Sequence, residues 1–193
     1  MKRIHDKTEI TKAGLDVVLS RGFNATGVEA ILKQANIPKG SFYNFFSSKE
    51  EFGLAIIDQF VANMRQVFQP IVQDDSLSPL VRIRRCFESV AARFESNNCS
   101  KGCLIGNLSL EMSDQNERFR VRLEEALQNW TKAFTALIIE AQQEQSVPND
   151  LDPEMLAENL ISSFEGALLR SKVKKSAEPL KNFILLYFDR FLK

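Results

Sequence analysis

The sequence predicts an all-α protein of about nine helices, and three observations carry that reading. Apolar residues recur at three- and four-residue spacing, as in Phe119, Leu123, Leu127, Trp130, Phe134, Leu137 and Ile138. Helix-start and helix-stop residues punctuate these stripes. No segment alternates apolar and polar residues as a strand would, and Asn-Gly or Asp-Gly hairpin turns do not occur. At 193 residues the chain is long enough for one or two domains with a sizeable core. The expected division is a small N-terminal domain, 1–49, and a larger body, 50–193.

Residues 1–21 hold an imperfect stripe of Ile4, Ile10, Ala13, Leu15, Val17, Val18 and Leu19, closed by a basic last turn at Arg21 and a glycine cap at Gly22. Thr26 and Glu29 have the spacing of a capping box, in which hydroxyl and carboxylate each satisfy a free N–H at a helix start. Val28, Ile31, Leu32 and Ala35 then share one face. Asn36 and Pro38 end this helix and open the next, because a first turn tolerates proline's missing N–H. The short helix over 38–44 presents Lys39, Gly40, Ser41, Tyr43 and Asn44, while Phe42, Phe45 and Phe46 anchor it from behind.

Ser47 or Ser48, with Glu50 and Glu51, caps a helix over about 48–69 that ends at Pro70 and links the two parts of the chain. Residues 71–79 read as a loop. Ser78-Pro79 opens a helix with Leu80, Ile83, Phe87, Val90, Ala91 and Phe94, which stops in the polar run at 96–98. A short helix follows over 102–112 and a long one over about 116–145. Asp152-Pro153-Glu154 caps the first of two final helices, 153–174 and 178–192.

One helix crossing a backbone while a second, donor-rich helix enters the major groove is the arrangement of a helix-turn-helix. On these residues the N-terminal part resembles the DNA-binding domain of the TetR family of transcriptional regulators. The likeness rests on Gly22-Phe23, Thr26, the run Ile37-Pro38-Lys39-Gly40-Ser41-Phe42-Tyr43-Asn44-Phe45-Phe46 and Lys49. It departs at Asn44 and Phe45, where many members carry His-Phe, and at Phe42, often Leu. The resemblance implies a double-stranded operator with two-fold symmetry. Lys39 and Ser41 are expected at base edges or the groove wall, Gly40 permits close approach, Thr26, Tyr43 and Lys49 are expected to meet phosphates, and Gly27 and Asn44 complete the DNA-binding set.

Charge agrees with that division. Residues 1–49 hold eight Lys or Arg against four Asp or Glu, and the remaining 144 hold 17 against 21, so +4 faces −4 within a chain of net charge zero. A basic module on an acidic body suits phosphate binding at one end. No charge-free run exceeds nine residues, far short of the roughly 18 a membrane helix needs, and no leader-like segment opens the chain; a cytoplasmic protein is expected.

The expectation for chemistry is no enzyme, no metal and no cofactor. His5 is the only imidazole, Cys-x-x-Cys and His-x-x-x-His pairs are missing, and no glycine-rich phosphate loop occurs. Three cysteines in such a chain argue against a disulfide framework. Cys86 reads as a buried thiol and Cys99 as a loop thiol able to act as a resolving partner. Cys103 follows Gly102 at the expected first turn of a helix, where free N–H groups and Lys101 favour a thiolate; the competing reading is a small packing residue.

The segment 102–111, with Lys172 and residues 176–180, is similar to a branch of the TetR family whose members include sensors of electrophiles and oxidants. That likeness implies a reactive Cys103 with Lys172 nearby, and an electrophile or small molecule as inducer. Phe87, Trp130, Phe134 and Phe164 are candidates to line an apolar effector cavity, although stripes at this spacing also make plain core.

The last two helices carry Leu160, Phe164, Leu168, Leu180, Phe183, Ile184, Tyr187, Phe188 and Phe191, which must be covered by their own core or by a second copy. Periodicity leaves both open. The resemblance implies a homodimer through these two helices. Taken together, the sequence points to a homodimeric DNA-binding regulator of repressor type; the competing class is an all-α small-molecule-binding or thiol-reactive protein without DNA binding.

Overall fold

Residues 7–192 are described in the computed structural model, without the side chains of residues 39–41. Ile4 and His5 therefore lie outside the described residues. The α-helices are α1, Lys7–Arg21; α2, Val28–Ala35; α3, Lys49–Val72; α4, Pro79–Ser96; α5, Leu104–Met112; α6, Glu117–Gln143; α7, Pro153–Lys174; and α8, Glu178–Leu186. A 3-10 helix, Lys39–Asn44, lies between α2 and α3, and a π-helical turn, Tyr187–Phe191, follows α8. No strand occurs among the described residues.

Several boundaries follow the local chemistry read from the sequence. The Glu51 N–H donates to Ser48 Oγ at 3.1 Å, while the N–H and hydroxyl of Ser47 donate to Glu51 Oε2 at 2.7 and 2.6 Å. These bonds hold the Glu51 carboxyl below its usual range. Asp152 Oδ1 accepts the Met155 N–H at 2.9 Å, with Pro153 at the first helical position. Gly22 adopts φ +85° past the end of α1 and donates to the Val18 carbonyl at 2.8 Å.

Several boundaries differ from expectation, and α5 opens at Leu104 rather than at residue 102, so Cys103 precedes the helix instead of lying in its first turn. Thr26 does not cap α2: it is fully buried, its hydroxyl donates to the Gly22 carbonyl at 2.6 Å, and Gly27 is the N-cap residue without a side-chain bond. The donor-rich segment before α3 is a tight 3-10 helix of six residues, longer than most runs of that geometry. The expected loop over 71–79 is shorter, because α3 continues through Pro70 to Val72. Pro70 removes one N–H so close to the helix end that the loss does not propagate.

The chain forms two compact units whose limits differ from a cut at residue 49. One takes the chain up to Met64 together with Leu104–Glu125. Its core is aromatic: Phe42, Phe46 and Phe52 have ring centroids 5.3–5.6 Å apart, and Phe23 meets Phe119 at 4.9 Å. A Cβ on Gly53 would stand 2.3 Å from the Phe119 ring and 2.7 Å from that of Phe23, so only glycine lets α3 pass between them. Glu50 joins α3 to α6, accepting from Arg118 at 2.6 Å and from the Asn116 amide at 2.9 Å.

The other unit takes Arg65–Cys103 and the chain from Ala126 onward. Phe87 is its hub, with centroids 4.9 Å from Phe164, 5.2 Å from Phe134, 5.4 Å from Phe183 and 6.2 Å from Phe188. A buried guanidinium fixes the connection between α3 and α4. Arg82 donates to the carbonyls of Leu77 and Val72 at 2.9 and 3.3 Å and pairs with Asp75 and Glu140 at 3.3 and 3.4 Å. Those partners satisfy a charge that burial alone would penalise by several kcal/mol, on the order given for a desolvated ion.

Candidate nucleic-acid interface and thiol site

The 3-10 helix is built with one face in and one face out. Phe42 and Phe46 are fully buried against Phe52, which fixes the segment from behind, and Tyr43 is 66% exposed with Asn44 beside it. The side chains of Lys39, Gly40 and Ser41, expected to meet the groove, lie outside the described residues. Gly27 is exposed at the start of α2, and a Cβ there would meet nothing within 4 Å. A helix start of this kind offers backbone N–H groups to a phosphate.

Lys49 is not a free surface cation. Its ammonium lies 4.5 Å from the Phe23 ring centroid and donates to the Asn24 carbonyl at 3.3 Å. Burial lowers its pKa from the ordinary lysine value, opposed by the nearby Glu111 carboxylate. Glu111, on α5, was not anticipated by sequence reasoning. Its two oxygens accept the backbone N–H groups of Phe23 at 2.9 Å and Asn24 at 2.6 Å, and Asn24 Nδ2 donates to Gln115 at 3.1 Å. The turn between α1 and α2 is thereby tied to α5 inside one compact unit.

The three cysteines are all free thiols and all buried. Burial pushes the Cys86 thiol up to about 12, which leaves almost no thiolate near neutral pH. Cys99 is 7% exposed in the turn after α4, at φ +49°, more enclosed than a loop thiol was expected to be. Cys103 immediately precedes α5 and follows Gly102 at φ +77°. Its thiol hydrogen-bonds to the carboxyl of Glu165 on α7, and Glu165 is the second functional candidate that sequence reasoning missed. The only sequence signal was a carboxylate inside the apolar stripe of Phe164 and Leu168. Burial raises the Glu165 pKa above the usual carboxylate range, against the lowering effect of the thiol bond. Its Oε1 is shielded from solvent and has no hydrogen-bond partner.

On α7, Phe164, Leu168 and Ser171 face the interior, so Ser171 rather than Lys172 continues the buried stripe; Lys172 is half-buried beside it. Phe87, expected with Phe134 and Phe164 to line a cavity, packs against both of them in the buried core, and Trp130 is half-buried on α6.

Two family descriptions match this chain: residues 10–56 fit "Bacterial regulatory proteins, tetR family", and residues 79–186 fit "Tetracyclin repressor-like, C-terminal domain". The chain belongs to the TetR family. It is 35% identical over 192 residues to the HTH-type transcriptional repressor DhaR of Mycobacterium sp. strain GP1, covering 100% of this chain and 95% of DhaR. A regulatory protein TetR from Rhodobacter sphaeroides superposes with a TM-score of 0.91 at 34% identity, over 96% of this chain and 98% of that one. The reduced form of Escherichia coli NemR superposes with a TM-score of 0.83 at 29% identity, over 92% of each chain. This TetR-family chain is thus a DNA-binding transcriptional regulator and not an enzyme. Among the described residues no helix is long and apolar enough to cross a membrane, and no acidic, histidine and cysteine group is placed to hold a metal.

Proposed function

We propose that the protein represses transcription as a homodimer on a two-fold symmetric operator and that modification of Cys103 by an electrophile releases it. Residues 1–49 read the DNA, and residues 50–193 bind effector and dimerise. The observation that carries the release mechanism is the position of α5. Cys103 stands at one end of this nine-residue helix, about 13 Å long, and Glu111 at the other end holds the α1–α2 turn. New bulk on Cys103 displaces the start of α5, and the two N–H bonds carry the displacement into the reading head. Only a difference in fit between DNA-competent and released states makes this a switch.

Lys39, Gly40, Ser41, Tyr43 and Asn44 face the groove or its walls, Gly27 and Lys49 meet phosphates, and Thr26, held inside by the Gly22 carbonyl, positions the start of α2. Leu169 and Val173 on α7, with Leu185, Leu186 and Phe191 after them, are exposed apolar residues that fit a dimer interface through the last two helices. The relative DhaR is named a repressor, and the NemR structure is described as a reduced form, which supports repression and thiol control here. A reversible apolar ligand that parts Phe87, Phe134 and Phe164, read through quenching of Trp130, is the alternative trigger.

The test is operator release after maleimide treatment of wild type, Cys103→Ser, Cys99→Ser and Cys86→Ser, followed by gel shift. Loss of release in Cys103→Ser alone is expected. Release that persists in that variant assigns the trigger to a reversible ligand or to another thiol.

A further inference from the structure

We propose that Glu165 is the proton acceptor that activates Cys103 toward unsaturated carbonyl electrophiles. This rests on the reading of Cys103 as the sensor and assigns the base it requires. A neutral buried thiol is a poor nucleophile, and activation by a positioned base or by a nearby cation are the two usual remedies. The sequence pointed to the second remedy, through Lys101 and Lys172. The structure supplies the first: the residue hydrogen-bonded to the Cys103 thiol is a carboxyl group.

Two features make this carboxyl a competent base. The influences on it are burial and the Cys103 thiol, so its proton affinity sits above that of an ordinary surface glutamate and nearer to that of a thiol. Oε1 receives no donor, so the ionised form lacks the hydrogen bonds that would make it a weak base. Ser171, six residues further along α7, is fully buried, with its hydroxyl unpartnered. A shielded carboxylate oxygen and a buried hydroxyl left unmatched on one helix are expensive to maintain for packing alone.

The step balances without an external oxidant or reductant. The S–H proton passes to Glu165 as the sulfur electron pair forms a C–S bond at the β-carbon of the electrophile. The C=C π pair moves onto the carbonyl as an enolate. Glu165 then returns the proton to the α-carbon, leaving a saturated thioether and a regenerated carboxylate. The ligand class is therefore an alkene conjugated to a carbonyl, small enough to reach a buried thiol.

The experiment follows adduct formation at Cys103 by intact-mass spectrometry, with N-ethylmaleimide as probe and full-length protein free of DNA. Glu165→Gln keeps the shape of the side chain and removes the base; the Cys103 rate is expected to fall about 100-fold or more, the usual span for general-base assistance. A carboxylate that merely repels the thiolate gives the opposite sign, and a faster reaction in Glu165→Gln overturns the proposal. The wild-type protein alone gives a second reading. With Glu165 as base, the rate levels off once that group is ionised, whereas an unassisted thiol climbs tenfold per pH unit toward its own pKa; the climbing profile overturns the proposal even if the variant does not fold. Because no DNA is present, an adduct that forms as proposed but leaves operator binding intact sinks the release mechanism and not the role of Glu165.

Discussion

The two aromatic cores of this molecule look alike in composition and differ in how they treat buried polarity. Around Phe42, Phe46 and Phe52, Thr26 bonds to the Gly22 carbonyl, Glu111 accepts from two backbone N–H groups, and Lys49 lies on the Asn24 carbonyl and the Phe23 ring. Around Phe87 the core includes the flank of a helix with an unpartnered carboxylate oxygen and an unpartnered hydroxyl. A satisfied core has one good arrangement and holds a reading head in register. An unsatisfied one stands closer in energy to alternatives, which is what a switch requires.

The largest expected effect tests the first core. Phe42→Ala removes a fully buried ring and is expected to cost about 3–5 kcal/mol in urea denaturation, with loss of operator binding. Phe87→Ala is expected to cost a comparable amount while leaving operator binding intact where the protein remains folded. If both variants lose DNA equally, the division between a head and a body fails.

Next comes Glu111→Ala, which leaves two backbone N–H groups without their acceptor. A loss of about 1–2 kcal/mol is expected, at the lower part of the range for charged hydrogen bonds because Asn24 is exposed. Operator affinity is expected to fall as well, and unchanged affinity would disconnect α5 from the reading head.

Glu165→Gln sharpens the contrast by changing the sign. The folded-state pKa of Glu165 lies above its unfolded value, so between the two the folded state holds more protons and stability falls as pH rises through that window. The amide removes this penalty. The change in urea midpoint from pH 4 to pH 8 should therefore be more positive in the variant than in wild type, with the variant the more stable at pH 8. A wild type whose midpoint rises between those two values by as much as the variant's would show that Glu165 carries no such penalty.

The smallest effect belongs to Lys49→Ala, read as a reduction of the salt slope of operator binding by about one. An unchanged slope would mean that Lys49 stays on Phe23 and Asn24 when DNA is bound.

These residues also mark where the sequence was legible. Ser48 with Glu51 and Asp152 with Pro153 are local devices, complete within four residues, and the structure contains both. Thr26 with Glu29 has the same spacing and failed, because a hydroxyl that reaches backward to Gly22 satisfies the same local pattern. The 3-10 geometry of residues 39–44 escaped because six residues are too few for 3.0- and 3.6-residue periods to separate. Glu111 and Glu165 escaped for a different reason: their partners lie 88 and 62 positions away, and no periodicity records a pairing made by tertiary folding.

The limits of the first compact unit bear on how regulators of this kind are recombined. A chimera joined after residue 49 inherits a foreign partner for the α1–α2 turn, since Glu111 stays behind with the body. It also keeps Phe119, whose ring packs on Phe23, in the wrong half. Transplanting operator specificity would instead mean moving Leu104–Glu125 along with the chain up to Met64. Such a graft has three splice points rather than one, and the third falls inside α6, where both parents must agree in helical phase.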